Sequence, residues 1–161
     1  MSETPVSAAL RRRVQERASG NCEYCLLSET DAYFSHEPDH IIARKHDGPT
    51  EFENLCWSCF DCNRFKGSDI ASQDPVNDEL VRLFNPRKDM WKDLFKLDDS
   101  TVVGLTPSGR ATIEVQLSLT GRNQENSFRR QSVSKMLATS PCQLPIEDLR
   151  FADNRQPTTS F

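Results

Sequence analysis

Apolar residues recur at helical spacing near the N-terminus and predict a helix over Ser2–Ser19. Ser2 is the expected cap, and Pro5 is expected in the first turn, where its missing amide hydrogen costs nothing. Gly20 and Asn21 are expected to end this helix, because both tolerate the backbone conformations that break one. The apolar stripe consists of Val6, Ala9, Leu10, Val14 and Ala18.

The middle of the chain combines a short extended stretch with a second helix. Asp39–Ile42 is predicted to be extended, and Asp47–Gly48–Pro49 is a turn signal. Phe52–Lys66 is predicted to be helical and to end at Gly67, a residue typical of helix C-termini. Phe60 and Trp57 are expected in the core of the molecule.

The pattern changes again after residue 70. A short helix is predicted over Val76–Phe84, and a closing helix over Asn123–Ala138. From Ser140 onwards, prolines and polar residues predict a loose tail. Three strands are predicted between the two helices, at Leu94–Leu97, Thr101–Leu105 and Ala111–Leu117, with turns at Asp98–Ser100 and Thr106–Gly109.

These elements predict an α+β protein with a small core and appendages. We expect an N-terminal helix over residues 1–19, a compact core over 20–70, an appendage with a β-hairpin and a helix over 71–139, and a flexible tail over 140–161. Only 36% of the residues are hydrophobic, so a large apolar core is not expected and a further staple would stabilise the fold.

Charge and targeting signals limit the class of protein. The formal net charge is -4, which argues mildly against a nucleic-acid partner, although arginines cluster near the start of the chain. The N-terminus shows no basic region followed by an apolar run, and no apolar stretch is long enough to span a bilayer. We therefore expect a cytoplasmic protein that does not bind membranes.

Four of the six cysteines form two C-x-x-C pairs, Cys22 with Cys25 and Cys59 with Cys62. In an intracellular chain, such pairs indicate a metal site more often than disulfides or redox pairs. Four thiolates suit tetrahedral zinc and leave no open position, so this zinc is predicted to be structural. The 33 residues between Cys25 and Cys59 must then form a folded insert.

The insert carries three short motifs in a fixed order. They are Asp39-His40-Ile41-Ile42, Glu53-Asn54-Leu55, and Cys62-Asn63-Arg64-Phe65-Lys66-Gly67. In this combination, from Cys22 to about Gly67, the sequence resembles the HNH endonucleases, also called ββα-metal nucleases. The resemblance covers less than a third of the chain, and it departs from the commonest pattern at Asn63, where many members have histidine.

The chemistry of these residues suits cleavage of a phosphodiester. A neutral histidine with a pKa near ~6.5 can take a proton from water at neutral pH. Asp39 and Asn63 offer a carboxylate and an amide oxygen, which favour magnesium or manganese. Asp39 and His40 are adjacent and point to opposite faces of a regular strand. One site can use both only if the backbone bends there or the ion sits at the end of the strand.

The resemblance implies a role for each of these residues. It implies that His40 is the general base, that Asp39 and Asn63 hold the catalytic ion, and that Asn54 orients the segment carrying His40. It also implies hydrolysis of DNA to 3′-hydroxyl and 5′-phosphate ends. A single site would nick one strand, so the protein is expected to act as a monomer or a homodimer. The alternative is a catalytically inactive zinc module that binds DNA or protein.

Further residues have two interpretations each. Arg44, Lys45, Arg64 and Lys66 are candidates for phosphate contacts or simply a charged surface. His36 could assist the site or be polar surface. Asn54 could also be a helix cap, with or without an orienting role.

Overall fold

The computed structural model describes residues 5–99 and 101–117. It is an α+β fold of four helices and three two-stranded antiparallel sheets, as the sequence predicts. In the described part of the chain, no helix is both long and apolar enough to cross a membrane. Ser2, the helix at Asn123–Ala138 and the tail from Ser140 lie outside the described residues. The predicted domain boundaries stay predictions.

Helix α1 spans Ala8–Arg17, a shorter range than predicted. The Oγ of Ser7 accepts a hydrogen bond from the amide of Leu10 at 3.2 Å and thereby caps the helix. Pro5 therefore precedes the helix and is not in its first turn. Only part of the predicted apolar stripe faces the core. Val14 and Ala18 are buried, whereas Ala9 is exposed.

Arginines fasten α1 to the rest of the fold. The guanidinium of Arg11 lies over the ring of Trp57, and that of Arg17 lies over the ring of Phe52. Arg17 also donates hydrogen bonds to the backbone carbonyls of Phe52 and Leu55. Because those carbonyls flank Asn54, α1 fixes the backbone on both sides of a predicted site residue.

The central unit is a β-hairpin followed by a helix. Strand β1 (Glu37–His40) pairs antiparallel with β2 (Leu55–Ser58), with Asp39 opposite Cys56 and His40 opposite Leu55. Helix α2 (Phe60–Lys66) follows at once and ends at Gly67, which has a φ of 52°. The predicted strand at Asp39–Ile42 thus lies two residues earlier in the structure.

The predicted single helix over Phe52–Lys66 is wrong in its first half. Phe52–Asn54 is a 3-10 turn, and all four residues of β2 are buried. A buried apolar run of this length suits a strand covered on both faces as well as it suits a helix. Pairing with β1 decides the conformation, and α2 begins only at its N-cap, Cys59.

Two hairpins follow the central unit. Strand β3 (Ala71–Gln73) pairs with β4 (Leu80–Arg82), so the predicted helix over Val76–Phe84 is wrong. The buried side chain of Asp74 accepts from the amide of Val76 and pairs with Arg110, which stabilises the turn instead of a helix. Helix α3 (Trp91–Leu94) leads into β5 (Phe95–Asp98) and β6 (Thr101–Gly104), which confirms the first two predicted strands near 94–105.

The third predicted strand, Ala111–Leu117, is instead part of helix α4 (Pro107–Leu117). The hydroxyl of Thr106 accepts from the amide of Gly109 at 3.1 Å and starts the helix, with Pro107 in its first turn. This helix packs against α2, β3, β4 and β6. A β-hairpin and a helix therefore follow the central unit, but this helix occupies residues predicted as a strand, and the predicted closing helix lies outside the described residues.

Candidate functional site

Two short loops bring the four paired cysteines together. In the first, the amide of Cys22 donates to the carbonyl of Leu27 at 2.9 Å, and the chain turns at Leu26, which has a φ of 64°. In the second, Cys59 caps α2 and its sulfur accepts from the amide of Cys62 at 3.5 Å. The four sulfurs lie within 4.8 Å of one another, and all four residues are buried.

This cluster fits a zinc ion. Zn–S bonds of about 2.3 Å in a tetrahedron place the sulfurs about 3.8 Å apart, and the sulfurs of Cys25 and Cys59 are 3.8 Å apart. The neighbouring thiols are the main cause that raises the pKa values of Cys59 and Cys62. Four buried thiols can therefore ionise together only around a cation. The geometry and the donor set both match the predicted structural zinc.

At its other end, α2 carries a buried ion pair. The ammonium of Lys66 lies 3.1 Å from the Oδ2 of Asp39 and donates to the carbonyl of His40 at 2.9 Å. Lys66 is 2% exposed and Asp39 is 8% exposed. Burial raises the pKa of the Asp39 carboxyl, and the ammonium of Lys66 opposes that rise. Lys66 thus ties α2 to two consecutive residues of β1.

His40 is the last residue of β1 and is half-buried. Its Nε2 lies 2.9 Å from the hydroxyl oxygen of Thr50. Burial lowers the pKa of His40, and the charges of Arg44 and Lys66 lower it further. The ring is therefore mostly neutral at pH 7, which is the form that can accept a proton.

Asn54 holds the backbone that follows His40. Its Oδ1 accepts from the amide of Ile42 at 3.0 Å, and its Nδ2 donates to the carbonyls of Ile42 and Pro49, both at 2.9 Å. The backbone carbonyl of Asn54 also accepts from the amide of Ile41 at 2.9 Å. These contacts close the loop between β1 and β2 and are of the kind expected for an orienting residue. Asn54 does not cap α2, whose N-cap is Cys59.

Asn63 lies one helical turn before Lys66, so both project from neighbouring positions on α2. Asn63 is half-buried. Asp39 and Asn63 come from elements that pack together, β1 and α2. A carboxylate and an amide oxygen are ligands of the kind that hard divalent cations take, so magnesium or manganese at these two residues stays a prediction.

Two predicted site residues are placed elsewhere. Lys66 is buried against Asp39 and is not presented to phosphate, because its ammonium pairs with a carboxylate inside the protein. His36 is fully buried, and its Nε2 pairs with the carbonyl of Leu27 at 2.9 Å, so it belongs to the core and not to the site surface.

The other basic candidates are on the surface. Arg44 and Lys45 lie exposed on a 3-10 turn, Arg44–His46, that follows β1. Arg64 is exposed on α2 with its guanidinium 6.0 Å from the ring of Phe60. Phe60 itself is 44% exposed, contrary to its expected place in the core, whereas Trp57 is buried as expected.

Thr50 is a site residue that sequence reasoning missed. It lies in the loop that joins β1 to β2, ten residues after the histidine it contacts. One signal was available in the sequence. A histidine that acts as a base needs a partner for its second ring nitrogen, and Thr50 follows Gly48–Pro49 in the loop that turns back toward β1.

Comparison with known proteins agrees with this geometry. Residues 22–69 match the model of the HNH endonuclease family. The matched segment begins at Cys22 and includes the β1–β2 hairpin, α2 and the Asp39–His40 pair. The chain matches none of the curated proteins and none of the solved structures with which it was compared.

Proposed function

We propose that the protein is a metal-dependent endonuclease that hydrolyses phosphodiester bonds in DNA, with His40 as the general base. The observation that carries this proposal is the half-buried imidazole of His40, which lies within the HNH segment at the end of β1. The lowered pKa of His40 keeps the ring neutral, and Asn54 and Thr50 hold the surrounding loop and the ring.

The residues near His40 have different roles in the proposed hydrolysis. His40 accepts a proton from the attacking water. Asp39 and Asn63 would hold a magnesium or manganese ion, which when bound stabilises the negative charge of the phosphate and the leaving oxygen. Arg44, Lys45 and Arg64 are exposed and are proposed to contact the DNA backbone.

The expected products have 3′-hydroxyl and 5′-phosphate ends. A single site cuts one strand, so a monomer would nick duplex DNA and a homodimer could cut both strands. The zinc held by the four cysteines takes no part in the reaction, because it has no open position.

One observation favours a second candidate function. The ammonium of Lys66 already neutralises Asp39, and the net charge of -4 does not favour DNA binding. These features suit a catalytically inactive zinc module that binds DNA or protein. In that case Asp39 would be structural and no divalent ion would bind at it.

Nicking of supercoiled plasmid separates the two candidates. Zinc-loaded protein is incubated with magnesium, manganese or EDTA, beside His40→Ala and the matched control His46→Ala, which removes an exposed histidine six residues away. The endonuclease proposal predicts open circles with a divalent ion for the native protein and for His46→Ala only. Equal nicking by His40→Ala would refute His40 as the general base. No nicking by folded native protein with either ion would favour the inactive module.

A further inference from the structure

The contact between His40 and Thr50 carries an inference that rests on the proposed function and deepens it. We propose that Thr50 is a positioning residue that accepts a hydrogen bond from the Nε2–H of His40 and so leaves Nδ1 as the proton-accepting atom. His40 is the last residue of β1 and Thr50 lies within the loop between β1 and β2, and their polar atoms are 2.9 Å apart.

The direction of this hydrogen bond decides whether the ring can act as a base. A neutral imidazole has one N–H donor and one lone pair. If the hydroxyl of Thr50 donated to Nε2, the lone pair would be occupied and Nδ1 would carry the hydrogen. If the hydroxyl accepts from Nε2–H, the lone pair is on Nδ1 and is free to take a proton from water.

The loop that carries Thr50 is fixed from two sides. The side-chain amide of Asn54 donates to the carbonyl of Pro49, the residue before Thr50, and to the carbonyl of Ile42, two residues after His40. Gly48 packs so closely that a Cβ there would collide with the carbonyl oxygen of Ile42. The same asparagine therefore sets the position of both partners relative to each other.

This arrangement gives Asn54 and Thr50 different tasks. Asn54 holds only backbone atoms, so it fixes where the loop runs. Thr50 contacts the ring itself, so it fixes the tautomer of His40 and the rotation of its side chain. The part of Thr50 that matters is its hydroxyl, which serine retains and valine lacks at nearly the same volume.

The test compares Thr50→Val and Thr50→Ser with Thr30→Val. Thr30 is exposed and pairs its hydroxyl with that of Ser28 at 2.9 Å, so its replacement removes a hydroxyl contact outside the site. Nitrogen-resolved NMR at pH 8 reports which ring nitrogen of His40 carries the hydrogen, with His40→Ala used to assign the signal. Single-turnover cleavage and DNA binding are measured on the same proteins.

We expect the hydrogen on Nε2 in the native protein, in Thr50→Ser and in Thr30→Val. In Thr50→Val the Nε2–H signal is expected to broaden through exchange with water. The cleavage rate constant of Thr50→Val is expected to fall about 10- to 100-fold, the loss typical for removal of a group that orients a site residue. The dissociation constant for DNA should stay unchanged, and Thr50→Ser should retain most of the rate.

Two results would overturn the proposal. One is a hydrogen on Nδ1 in the native protein, and the other is an unchanged ring signal in Thr50→Val. Because NMR does not depend on cleavage, the proposed function can fail separately. A native protein that shows the expected ring signals but cuts no DNA would refute the endonuclease and establish the positioning of the ring by Thr50.

Discussion

Helix α2 joins two buried polar clusters that differ in the source of their positive charge. At its first turn, Cys59 and Cys62 meet Cys22 and Cys25, and the crowding of thiols raises the pKa values of Cys59 and Cys62. At its last turn, Lys66 places its ammonium 3.1 Å from Asp39. The cysteine cluster needs a cation from outside the chain, whereas the Asp39 cluster contains the ammonium of Lys66 as its cation.

This difference assigns different roles to two metals. We expect zinc to be part of the folded structure, because four buried thiols can ionise together only around a cation. The divalent ion of the proposed reaction is exchangeable, because Lys66 already compensates the charge of Asp39 without it. Folding should therefore depend on the first ion and activity on both.

The largest expected effect is the loss of one zinc ligand. Cys62→Ser should unfold the protein at 25 °C, because structural zinc contributes about 10 kcal/mol or more and domains are stable by only about 5–15 kcal/mol. The control is Cys56→Ala, since Cys56 is a buried thiol outside the cluster. It should cost about 1 kcal/mol and retain one zinc per chain. Circular dichroism and zinc content check both variants. A folded Cys62→Ser protein would contradict the dependence of the fold on the cysteine cluster.

Removal of the buried ammonium of Lys66 should have the next largest effect on stability. Lys66→Met leaves the buried carboxylate of Asp39 without its partner, which costs about 3–5 kcal/mol. Lys45→Met removes an exposed lysine and should change stability by less than about 0.5 kcal/mol. Urea denaturation of the zinc-loaded proteins measures both. Equal stabilities of the two variants would show that Asp39 does not depend on Lys66.

A smaller loss is expected at the loop between the two strands. Asn54→Ala removes three hydrogen bonds to the backbone of Ile42 and Pro49. It should cost about 2–4 kcal/mol, because buried backbone groups lose their partners. Asn77→Ala, in the exposed turn between β3 and β4, is the control and should cost under about 1 kcal/mol. Thermal unfolding compares them, and zinc content should stay at one ion in both.

The smallest effect concerns pH. The proposed function requires the neutral form of His40, whose pKa is lowered, so cleavage should be lost on acidification only below pH 6.5. Arg44→Gln removes one of the charges that lower this pKa. The acid limb of the rate profile should then move to higher pH. An acid limb above pH 6.5 in the native protein would contradict the assignment of His40.

The sequence predicted the four cysteines of the first cluster because the paired spacing of metal-binding cysteines is local. Two C-x-x-C pairs, Asp39–His40, Asn54 and Asn63 are recognisable without coordinates, and residues 22–69 match the HNH family. The α+β fold and the hairpin near residues 95–104 also followed from local patterns.

The elements and site contacts that the sequence did not predict depend mainly on contacts between residues distant in the chain. Leu55–Ser58 is a strand because it pairs with β1. Ala111–Leu117 belongs to helix α4, which packs against α2, β3, β4 and β6. The burial of Lys66 arises only when α2 packs on β1. The same holds for Thr50, whose contact with His40 spans ten residues and requires the whole loop to close.

Restoring the two metals in order separates the role of zinc in folding from the role of the divalent ion in cleavage. Protein stripped of all metal, then given zinc alone, and then zinc with magnesium, is followed by circular dichroism and by plasmid nicking. We predict that zinc alone restores the fold without nicking, and that magnesium adds nicking without changing the fold. A stripped protein that stays folded, or a fold that returns only with magnesium, would contradict the assignment of one cluster to folding and the other to activity.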